Sequence, residues 1–341
     1  MSNSLSRRRL LTLDVISRTP PASSARRWLR VYRTAMACRF EVTLLPSDAA
    51  HVGAARTALD EADRVEALLT IFRAESEVSR LNRCAADGVM CLDDVDQELW
   101  ALLVRAAALH ERTGGAFDIT STPLSRCWGF LQREGAVPSD EAIAAARARV
   151  GMSSLAFESP GRVRFVRPDV EINLNAMGKG YGLDRMGGVL RRLGVPRALL
   201  SGGRSSVLAI GGRSPGWPID LESPQTSQPH LARVYLRDGA LGTSGAGEQY
   251  ILGDGQRYGH VFDPRNGRPA RGVLSASVIT DNAADADALS TAFLVGGPSL
   301  AARYCEEHPG TMALLTLDDE TERTHVFGSY AGATVDQGRS K

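Results

Sequence analysis

The sequence predicts an α+β fold in which antiparallel sheets are flanked by helices. Helical and strand-like segments are mixed along the 341 residues, without the regular strand–helix–strand alternation that builds a parallel sheet. Apolar residues make up 43% of the chain, which is enough for a large core. No segment of the chain repeats another.

The N-terminal half combines strands with three amphipathic helices. Residues 31–45 alternate as a strand, and Asp48 caps a helix whose apolar positions recur at helical spacing as far as Leu69. A second helix is predicted over 95–111, and Ser139 caps a third, alanine-rich helix. Further strand-like runs lie at 154–158, 162–167 and 169–174.

The C-terminal half is richer in strands. A helix is predicted over 180–193, with Gly194 as its stop, and helices at 284–295 and 298–307 precede a last strand at 312–316. Residues 212–231, rich in Ser, Pro and Gln, predict a loop. The remaining strands are expected at 197–201, 205–210, 232–237, 249–252, 258–262 and 273–279.

Charge and cysteine content exclude several classes of protein. The formal net charge is +1 and both signs are spread along the chain, which argues against a nucleic-acid binder with a basic face. The five cysteines are irregularly spaced without a Cys-x-x-Cys pair, so neither a zinc site nor a disulfide framework is indicated. No stretch is apolar enough to cross a membrane as a helix.

The N-terminus bears on localisation. Residues 6–11 (SRRRLL) look like the opening of a twin-arginine export signal. Asp14 and Arg18 interrupt the next stretch, so the run of about 7–15 apolar residues that a signal needs is lacking. We expect residues 1–28 to be a disordered basic tail and the protein to be cytoplasmic, with export through this incomplete signal as the alternative.

An Asp and a Thr in the C-terminal third are candidate metal ligands. Asp287 and Thr291 stand at positions i and i+4 of a predicted helix, so their oxygens share one face. Two hard oxygens with a backbone carbonyl suit Mg²⁺ or Ca²⁺ better than zinc. The alternative is an Asp that is only favoured by the dipole at a helix N-terminus.

Glycine-flanked segments are candidate ligand contacts. Lys179 lies between Gly178 and Gly180, where the backbone can approach a ligand closely; a solvated lysine before a helix is the alternative. Gly202 and Gly203 come after a strand, and a tight turn between strands accounts for them equally. Neither G-x-G-x-x-G nor a Walker lysine motif is present, so a Rossmann site is not expected.

Six blocks of residues occur in a fixed order along the chain. They lie at 35–38, 72–82, 115–130, 173–184, 201–211 and 242–291. Together they resemble the FAD:protein FMN transferase (ApbE) family over about residues 30–318. The resemblance implies one T-fold-like domain, here 29–330, and leaves 331–341 as a flexible C-terminal tail.

The resemblance implies where a flavin would bind. Phe72 takes the place of a tyrosine that stacks on the isoalloxazine, so the ring face is retained and the hydroxyl is lost. For the apolar members of the set, plain core packing is the alternative. The implied flavin contacts are Met36, Phe72, Ala116, Phe117, Asp118, Asn173, Lys179 and Phe262.

The resemblance also implies a metal set and a catalytic group. Ala176 aligns with a residue that gives the metal an oxygen, which an alanine can do only through its backbone carbonyl. With Asp287, Thr291 and, as a further ligand, Ser290, it would bind Mg²⁺. His260 is the candidate general base or pyrophosphate contact, and a hydrogen-bonded structural histidine is the alternative.

Three departures from the family pattern fall near the expected cleft. Asn173 stands where Asp is usual, residues 37–38 (Ala-Cys) replace Gly-Thr, and Arg204 stands where Asp or Asn is usual. The residues expected to carry the chemistry are intact, so we expect an active site with an altered acceptor or rate. Those residues are Lys179, His260, Asp287 and Thr291.

The implied reaction moves FMN from FAD onto a Thr or Ser hydroxyl of a target protein, with release of AMP. Positioning and electrostatics would supply most of the catalysis, which fits the lack of a Ser-His-Asp or Cys-His signature. An FAD pyrophosphatase, with water replacing the acceptor, is the enzymatic alternative. A non-catalytic FAD-binding protein is the alternative from another class.

Overall fold

Most helices of the computed structural model fall close to the amphipathic segments of the sequence. The structure describes residues 28–131, 135–222, 231–247, 249–253, 255–319 and 323–337. The expected basic tail lies outside these residues except for Trp28, whose ring centroid is 5.2 Å from that of Trp217. The helices are α1 (Val52–Leu69), α2 (Glu77–Ala86), α3 (Gln97–Arg112), α4 (Thr122–Cys127), α5 (Asp140–Arg147), α6 (Asn175–Arg192) and α7 (Ala283–Glu307).

The strands form one large antiparallel sheet and several small ones. The first strands are β1 (Leu29–Ala35), β2 (Cys38–Leu44), β3 (Cys91–Leu92), β4 (Leu155–Ser159), β5 (Arg162–Phe165), β6 (Ala198–Gly202), β7 (Ser206–Ile210), β8 (Trp217–Leu221) and β9 (Ala232–Leu236). The later strands are β10 (Gly239–Gly245), β11 (Tyr250–Gly253), β12 (Gln256–Gly259), β13 (Phe262–Asp263), β14 (Arg268–Pro269), β15 (Val273–Thr280), β16 (Met312–Leu317), β17 (Thr324–Gly328) and β18 (Ala333–Asp336). The large sheet has eight strands in the order β1-β2-β6-β7-β10-β15-β16-β17, and β18-β9-β8 form a separate three-stranded sheet.

The two faces of the large sheet are covered differently. Successive residues of a strand point to opposite faces, so Leu208 of β7 packs with α1 and α6, while Val207 packs with Ile219 of the three-stranded sheet. Helices α3 and α7 share a further core with β15 and β16. The expected α+β architecture, with antiparallel sheets flanked by helices, is confirmed.

The predicted strand at 31–45 is a hairpin. Strands β1 and β2 pair in antiparallel register from Leu29 opposite Leu44 to Ala35 opposite Cys38. The two-residue turn is formed by Met36 and Ala37, whose φ angles of 48° and 55° are both left-handed. Turns with two positive φ angles fit the twist of a hairpin, but Met and Ala are not residue types that predict such a turn.

The predicted strand at 169–174 was wrong. The segment precedes α6, which begins at Asn175 rather than at 180. Its backbone is bonded by a side chain instead of a strand: Asn82 accepts from the N–H of Ile172 at 2.7 Å and donates to its carbonyl at 2.9 Å. The alternating apolar residues are buried as expected, but the bonding partner lies on α2, far away in sequence.

Several elements were not predicted. Ser76 caps the short helix α2, strand β8 lies inside the expected loop at 212–231, and β10 and β17 belong to the large sheet. The expected flexible tail at 331–341 was wrong for Ala333–Asp336, which form β18 and pair with β9. The two helices expected near the C-terminus are the halves of α7, kinked at Gly297.

The longest helix, α7, has 25 residues and contains Pro298 just after its kink. No helix among the described residues is both long enough and apolar enough to span a bilayer.

Candidate functional site

The N-terminal part of α7 lies unusually close to two other elements. A Cβ atom placed on Gly180 of α6 would lie 2.0 Å from the carbonyl oxygen of Ala283, and one on Gly242 of β10 would lie 2.6 Å from the backbone nitrogen of Asp287. Both contacts are with backbone, so no larger residue fits without moving α7. These two glycines bring Asp287 to the junction of α6, α7 and β10.

The Asp287 carboxylate is buried and oriented by hydrogen bonds from α6 and from the large sheet. It is 6% exposed. The backbone N–H of Gly180 donates to Oδ2 at 2.7 Å, and Ser206 Oγ on β7 lies 2.7 Å from Oδ1 and 2.9 Å from Oδ2. A buried carboxylate needs such donors. Its orientation is therefore fixed from two sides.

Three hydroxyls gather beside Asp287. Ser244 Oγ of β10 lies 2.8 Å from Ser290 Oγ and 3.1 Å from Thr291 Oγ1. Ser290 and Thr291 also donate to the carbonyl oxygen of Asp287, at 2.8 and 3.2 Å. The structure thus brings the hydroxyls of two predicted ligands, Ser290 and Thr291, together at the Asp287 backbone carbonyl and adds Ser244, a partner that sequence spacing did not identify.

The fourth predicted ligand is the backbone carbonyl of Ala176. In a regular helix this carbonyl accepts from the N–H four residues later, which is that of Gly180. Here the same N–H donates to Asp287, so the carboxylate competes with Ala176 for its donor. Ala176 itself is partly buried against the core. Because of this competition, the Ala176 carbonyl oxygen can accept a hydrogen bond from another donor or bind a metal ion.

The donor set fits a hard cation. Carboxylate, hydroxyl and carbonyl oxygens are the ligands of Mg²⁺ and Ca²⁺. Within the described ranges, no group of three or more His, Cys, Asp and Glu side chains is placed to hold a metal ion. A metal at Asp287 would therefore depend on the neutral oxygens of Ser244, Ser290, Thr291 and Ala176.

Lys179 and Cys38 adjoin the same region. A Cβ atom on Gly202 would lie 3.6 Å from Cβ of Lys179, and one on Gly203 would lie 3.5 Å from Sγ of Cys38. Burial raises the pKa of the Cys38 thiol, the positive charge of Lys179 opposes the shift, and the negative charge of Asp287 adds to it. The thiol is therefore protonated at neutral pH, and Lys179 is the nearby positive charge.

The first turn of α7 is held by a carboxylate of α6. Asp184 accepts from the backbone N–H of Ala283 at 2.8 Å and from that of Ala284 at 3.0 Å. Burial raises the pKa of Asp184 to about 6, although both N–H groups and the positive charge of Arg105 oppose this. Asp184 ends the fourth sequence block, yet its sequence pattern gives no reason to connect it with α7.

The segment with Asp118 lies beside the start of α6. Asp118 is buried and accepts from Thr120 N at 2.7 Å and from Thr120 Oγ1 at 2.6 Å. The N–H of Asn173 donates to Ile119 O at 2.8 Å, and Asn173 Oδ1 accepts from Asn175 N at 3.0 Å. Asn173 is therefore a turn residue that leads into α6, and its amide oxygen serves this purpose as an Asp would.

The predicted flavin contacts differ widely in exposure. Phe72 is 76% exposed in the loop between α1 and α2, whereas Ala116, Phe117 and Phe262 are buried core residues. Met36, in the β1–β2 turn, would come within 3.4 Å of a Cβ atom on Gly182 of α6. The exposed Phe72 is free to stack on a ligand. Flavin binding by the buried members stays a prediction, since their present contacts are those of core packing.

His260 lies directly after β12, within an aromatic cluster. Its N–H donates to Gln249 O at 3.1 Å, its Nδ1 lies 3.3 Å from the same oxygen, and its ring centroid is 6.3 Å from that of Phe130. Phe130 in turn packs edge-on against Phe262, at 5.7 Å between centroids. Strand β13, which carries Phe262, contacts α7. His260 is thus linked to α7 indirectly, through Phe130 and Phe262.

The fold and this arrangement define a class of protein: an antiparallel α+β domain in which a buried carboxylate and several neutral oxygen atoms lie between two helices and a central strand. Comparison with known sequences places the chain within one family of this kind. The model of the ApbE family matches residues 36–315, so the chain belongs to the ApbE family.

The relatives carry one activity in their names. A protein of Klebsiella pneumoniae (strain 342) named FAD:protein FMN transferase is 28% identical over 323 residues, covering 92% of this chain and 91% of its own length. A longer protein of Rhodobacter capsulatus with the same name is 34% identical over 255 residues, covering 72% of this chain and 47% of its own.

Solved structures agree with the fold. The ApbE protein of Thermotoga maritima superposes with a TM-score of 0.77 and 28% identity, covering 89% of this chain and 97% of its own. The flavin transferase ApbE of Vibrio cholerae superposes with a TM-score of 0.73 and 25% identity, covering 89% and 98%.

Proposed function

We propose that this chain is an Mg²⁺-dependent FAD:protein FMN transferase that moves FMN from FAD onto a Thr or Ser hydroxyl of a target protein and releases AMP. Membership of the ApbE family and the names of its relatives support the transfer. The observation that carries the metal requirement is the buried, oriented Asp287 carboxylate on the helix turn whose Ser290 and Thr291 hydroxyls gather with that of Ser244.

Asp287, Thr291 and Ser290 would hold the metal together with the carbonyl of Ala176, and Ser244 would support them. When bound, a divalent cation neutralises charge on the pyrophosphate and on the departing phosphate. The side chains that would bind it come from one turn of α7, so a single helix fixes their spacing. Gly180 and Ser206 keep the Asp287 carboxylate from rotating away.

The remaining residues bind and orient the substrates. The acceptor hydroxyl oxygen attacks the flavin-side phosphorus, a new P–O bond forms, and the bond to the AMP phosphate breaks. Lys179 would balance phosphate charge, and its position beside Gly202, the last residue of β6, supports this role. His260 would accept the proton of the acceptor hydroxyl, as a neutral imidazole can near pH 7.

Phe72 would stack on the isoalloxazine. Its side chain is 76% exposed, which is unusual for a large aromatic residue and leaves one ring face open to a planar ligand. Met36, on the turn next to α6, would add apolar contact. The loss of a tyrosine hydroxyl at position 72 affects hydrogen bonding and leaves stacking intact.

The test is incubation of the purified protein with FAD, with and without Mg²⁺, while AMP, FMN and protein-bound flavin are followed by chromatography. Half of the samples contain a protein that one of the named relatives flavinylates. Mg²⁺-dependent AMP with flavin fixed to that protein is the expected result. AMP with free FMN in every sample would identify a pyrophosphatase instead, and intact FAD throughout would favour a binding protein.

A further inference from the structure

The N-terminus of α7 has two capping groups instead of one. The local cap is Asn282, whose Oδ1 accepts from Asp285 N at 2.9 Å. The second is Asp184, which reaches from α6 and accepts from the N–H groups of Ala283 and Ala284. The first N–H groups of a helix have no partner within the helix, so one local cap leaves others open. Asp184 closes two of them from a different element.

The second cap acts on the same helix–helix contact as the metal site. One turn of α6 before Asp184, the N–H of Gly180 donates to the Asp287 carboxylate. One turn of α7 before Asp287, the Ala283 N–H donates to Asp184. The two bonds run in opposite directions between the helices, and together they fix how far α7 can slide or rotate against α6.

The setting of Asp184 is costly for a carboxylate. Burial is the main cause of its raised pKa. The negative charge of the nearby Asp285 raises the pKa further, and the positive charge of Arg105 on α3 lowers it. Arg105 is engaged by Asp285, with Nε 2.7 Å from Oδ1. Asp184 joins the end of α7 to α6, which the local cap of Asn282 does not do.

We propose that Asp184 is a positioning residue: by holding the first turn of α7 against α6, it sets the place of Asp287 and hence the affinity of the site for a divalent cation. This inference rests on the metal assignment of the proposed function. It concerns a residue that bonds the backbone of α7 and acts on the metal only through Asp287.

The test uses the full chain with Asp184→Asn, which keeps one acceptor oxygen and presents an amide N–H₂ in place of the other. Binding of Mn²⁺ to the protein alone is measured by calorimetry, and hydrogen exchange of the segment 283–287 by mass spectrometry. We expect Mn²⁺ binding to weaken about 10-fold, as for other residues that orient metal ligands. Exchange at 283–287 should become faster, because the amides of Ala283 and Ala284 bond different carboxylate oxygens and one of the two loses its acceptor.

Activity gives an independent readout. At saturating FAD, the Mg²⁺ concentration for half-maximal AMP release should rise by the same factor, and high Mg²⁺ should restore kcat to within about 2-fold. The KM for FAD should stay within about 2-fold, since the hydrogen bonds of Asp184 go to α7 and not to the expected flavin contacts. A purely structural role would lower the unfolding temperature and leave the metal affinity unchanged.

The matched control is Asp281→Asn, which also replaces a carboxylate by an amide. Asp281 lies just before α7 and accepts a hydrogen bond from Tyr330 Oη at 3.0 Å. It should leave Mn²⁺ affinity unchanged. Asp184→Ser, which retains one hydroxyl acceptor, replaces the amide variant if that variant does not fold. Equal Mn²⁺ affinity of the wild type and the Asp184 variant overturns the inference alone. No Mn²⁺ binding by the wild type overturns the metal assignment and this inference together.

Discussion

The backbone N–H of Gly180 donates a hydrogen bond of 2.7 Å to the carboxylate of Asp287. This bond joins the second turns of α6 and α7. It needs the absence of a side chain at position 180, where a Cβ atom would collide with the carbonyl of Ala283. One glycine therefore provides both the close approach of the helices and a donor for the carboxylate.

Replacement of Asp287 by Ala should abolish metal-dependent turnover. We expect Mg²⁺-dependent AMP release to fall about 100-fold or more, because loss of a ligand costs more than the roughly 10–100-fold cost of losing an outer partner. FAD binding, measured by quenching of flavin fluorescence, should persist in part, since Phe72 and Lys179 remain. Unchanged turnover would refute the metal assignment.

The matched control for Asp287→Ala is Asp60→Ala. Asp60 lies on α1, its side chain is 64% exposed, and it pairs with Arg33 at 2.7 Å. Surface ion pairs contribute little to stability. We expect turnover within about 2-fold of the wild type, so any larger loss in both variants would indicate a general effect of charge.

Ser206→Ala tests whether the orientation of the carboxylate matters. Ser206 is fully buried and its Oγ bonds both carboxylate oxygens of Asp287. We expect Mn²⁺ affinity, measured by calorimetry, to fall about 10-fold, because partners of metal ligands typically have effects of this size. Ser154→Ala removes another buried hydroxyl, which accepts from Arg167 at 2.8 Å, and should leave Mn²⁺ affinity unchanged. Equal affinities in both variants would contradict the role of Ser206.

The sequence predicts those parts of the site that lie within one helix. Asp287 and Thr291 were expected to share one face because the helical repeat fixes their spacing, and Ser290 was added because of the family resemblance. In the structure the hydroxyls of Ser290 and Thr291 both donate to the backbone carbonyl of Asp287. Ser206 and Ser244 reach the same place from β7 and β10, so their roles depend on sheet order and on packing of α7. No local pattern contains that information.

Burial separates the aromatic residues in a way that the sequence could not. Phe72 and Phe262 were both expected to line a flavin site, with core packing as the alternative. Phe72 is 76% exposed because its loop comes after the end of α1, whereas Phe262 is 6% exposed between Trp128 and Phe130. Exposure depends on which elements cover a residue, and that is decided by the whole fold.

Phe72→Ala should separate flavin binding from stability. The side chain is largely exposed, so the free energy of unfolding should change by no more than about 0.5 kcal/mol. FAD affinity should fall roughly 10-fold, since loss of aromatic stacking on a planar base costs about 1–3 kcal/mol. Phe262→Ala should instead lower the free energy of unfolding by about 3–5 kcal/mol in urea titrations. Unchanged FAD affinity in Phe72→Ala would remove Phe72 from the flavin site.

Gly180→Ala should destabilise the protein despite the better helix propensity of alanine. The gain of up to about 1 kcal/mol in an exposed helix is outweighed by a collision with backbone that costs about 1–3 kcal/mol or more. Gly188→Ala, on the same helix, would meet only Arg192 Nη1 at 3.5 Å and should leave the unfolding midpoint equal or higher. Urea unfolding of both variants measures the contrast, and a stabilised Gly180→Ala would show that α6 and α7 can separate freely.

The pKa of Asp184 predicts how stability depends on pH. Burial raises this pKa from 3.8 to about 6, so the folded state binds the proton more tightly than the unfolded chain does. The carboxyl group therefore contributes stability that is fully present below about pH 4 and is lost as the pH rises through about 6. Two pKa units correspond to at most about 3 kcal/mol.

Asp184→Asn does not titrate, so the difference in unfolding free energy between wild type and variant should shift against the wild type between pH 4 and pH 7. Urea unfolding at both pH values measures this shift, in which any constant loss of hydrogen bonding in the variant cancels. A difference that is independent of pH would mean that Asp184 titrates alike in the folded and unfolded states.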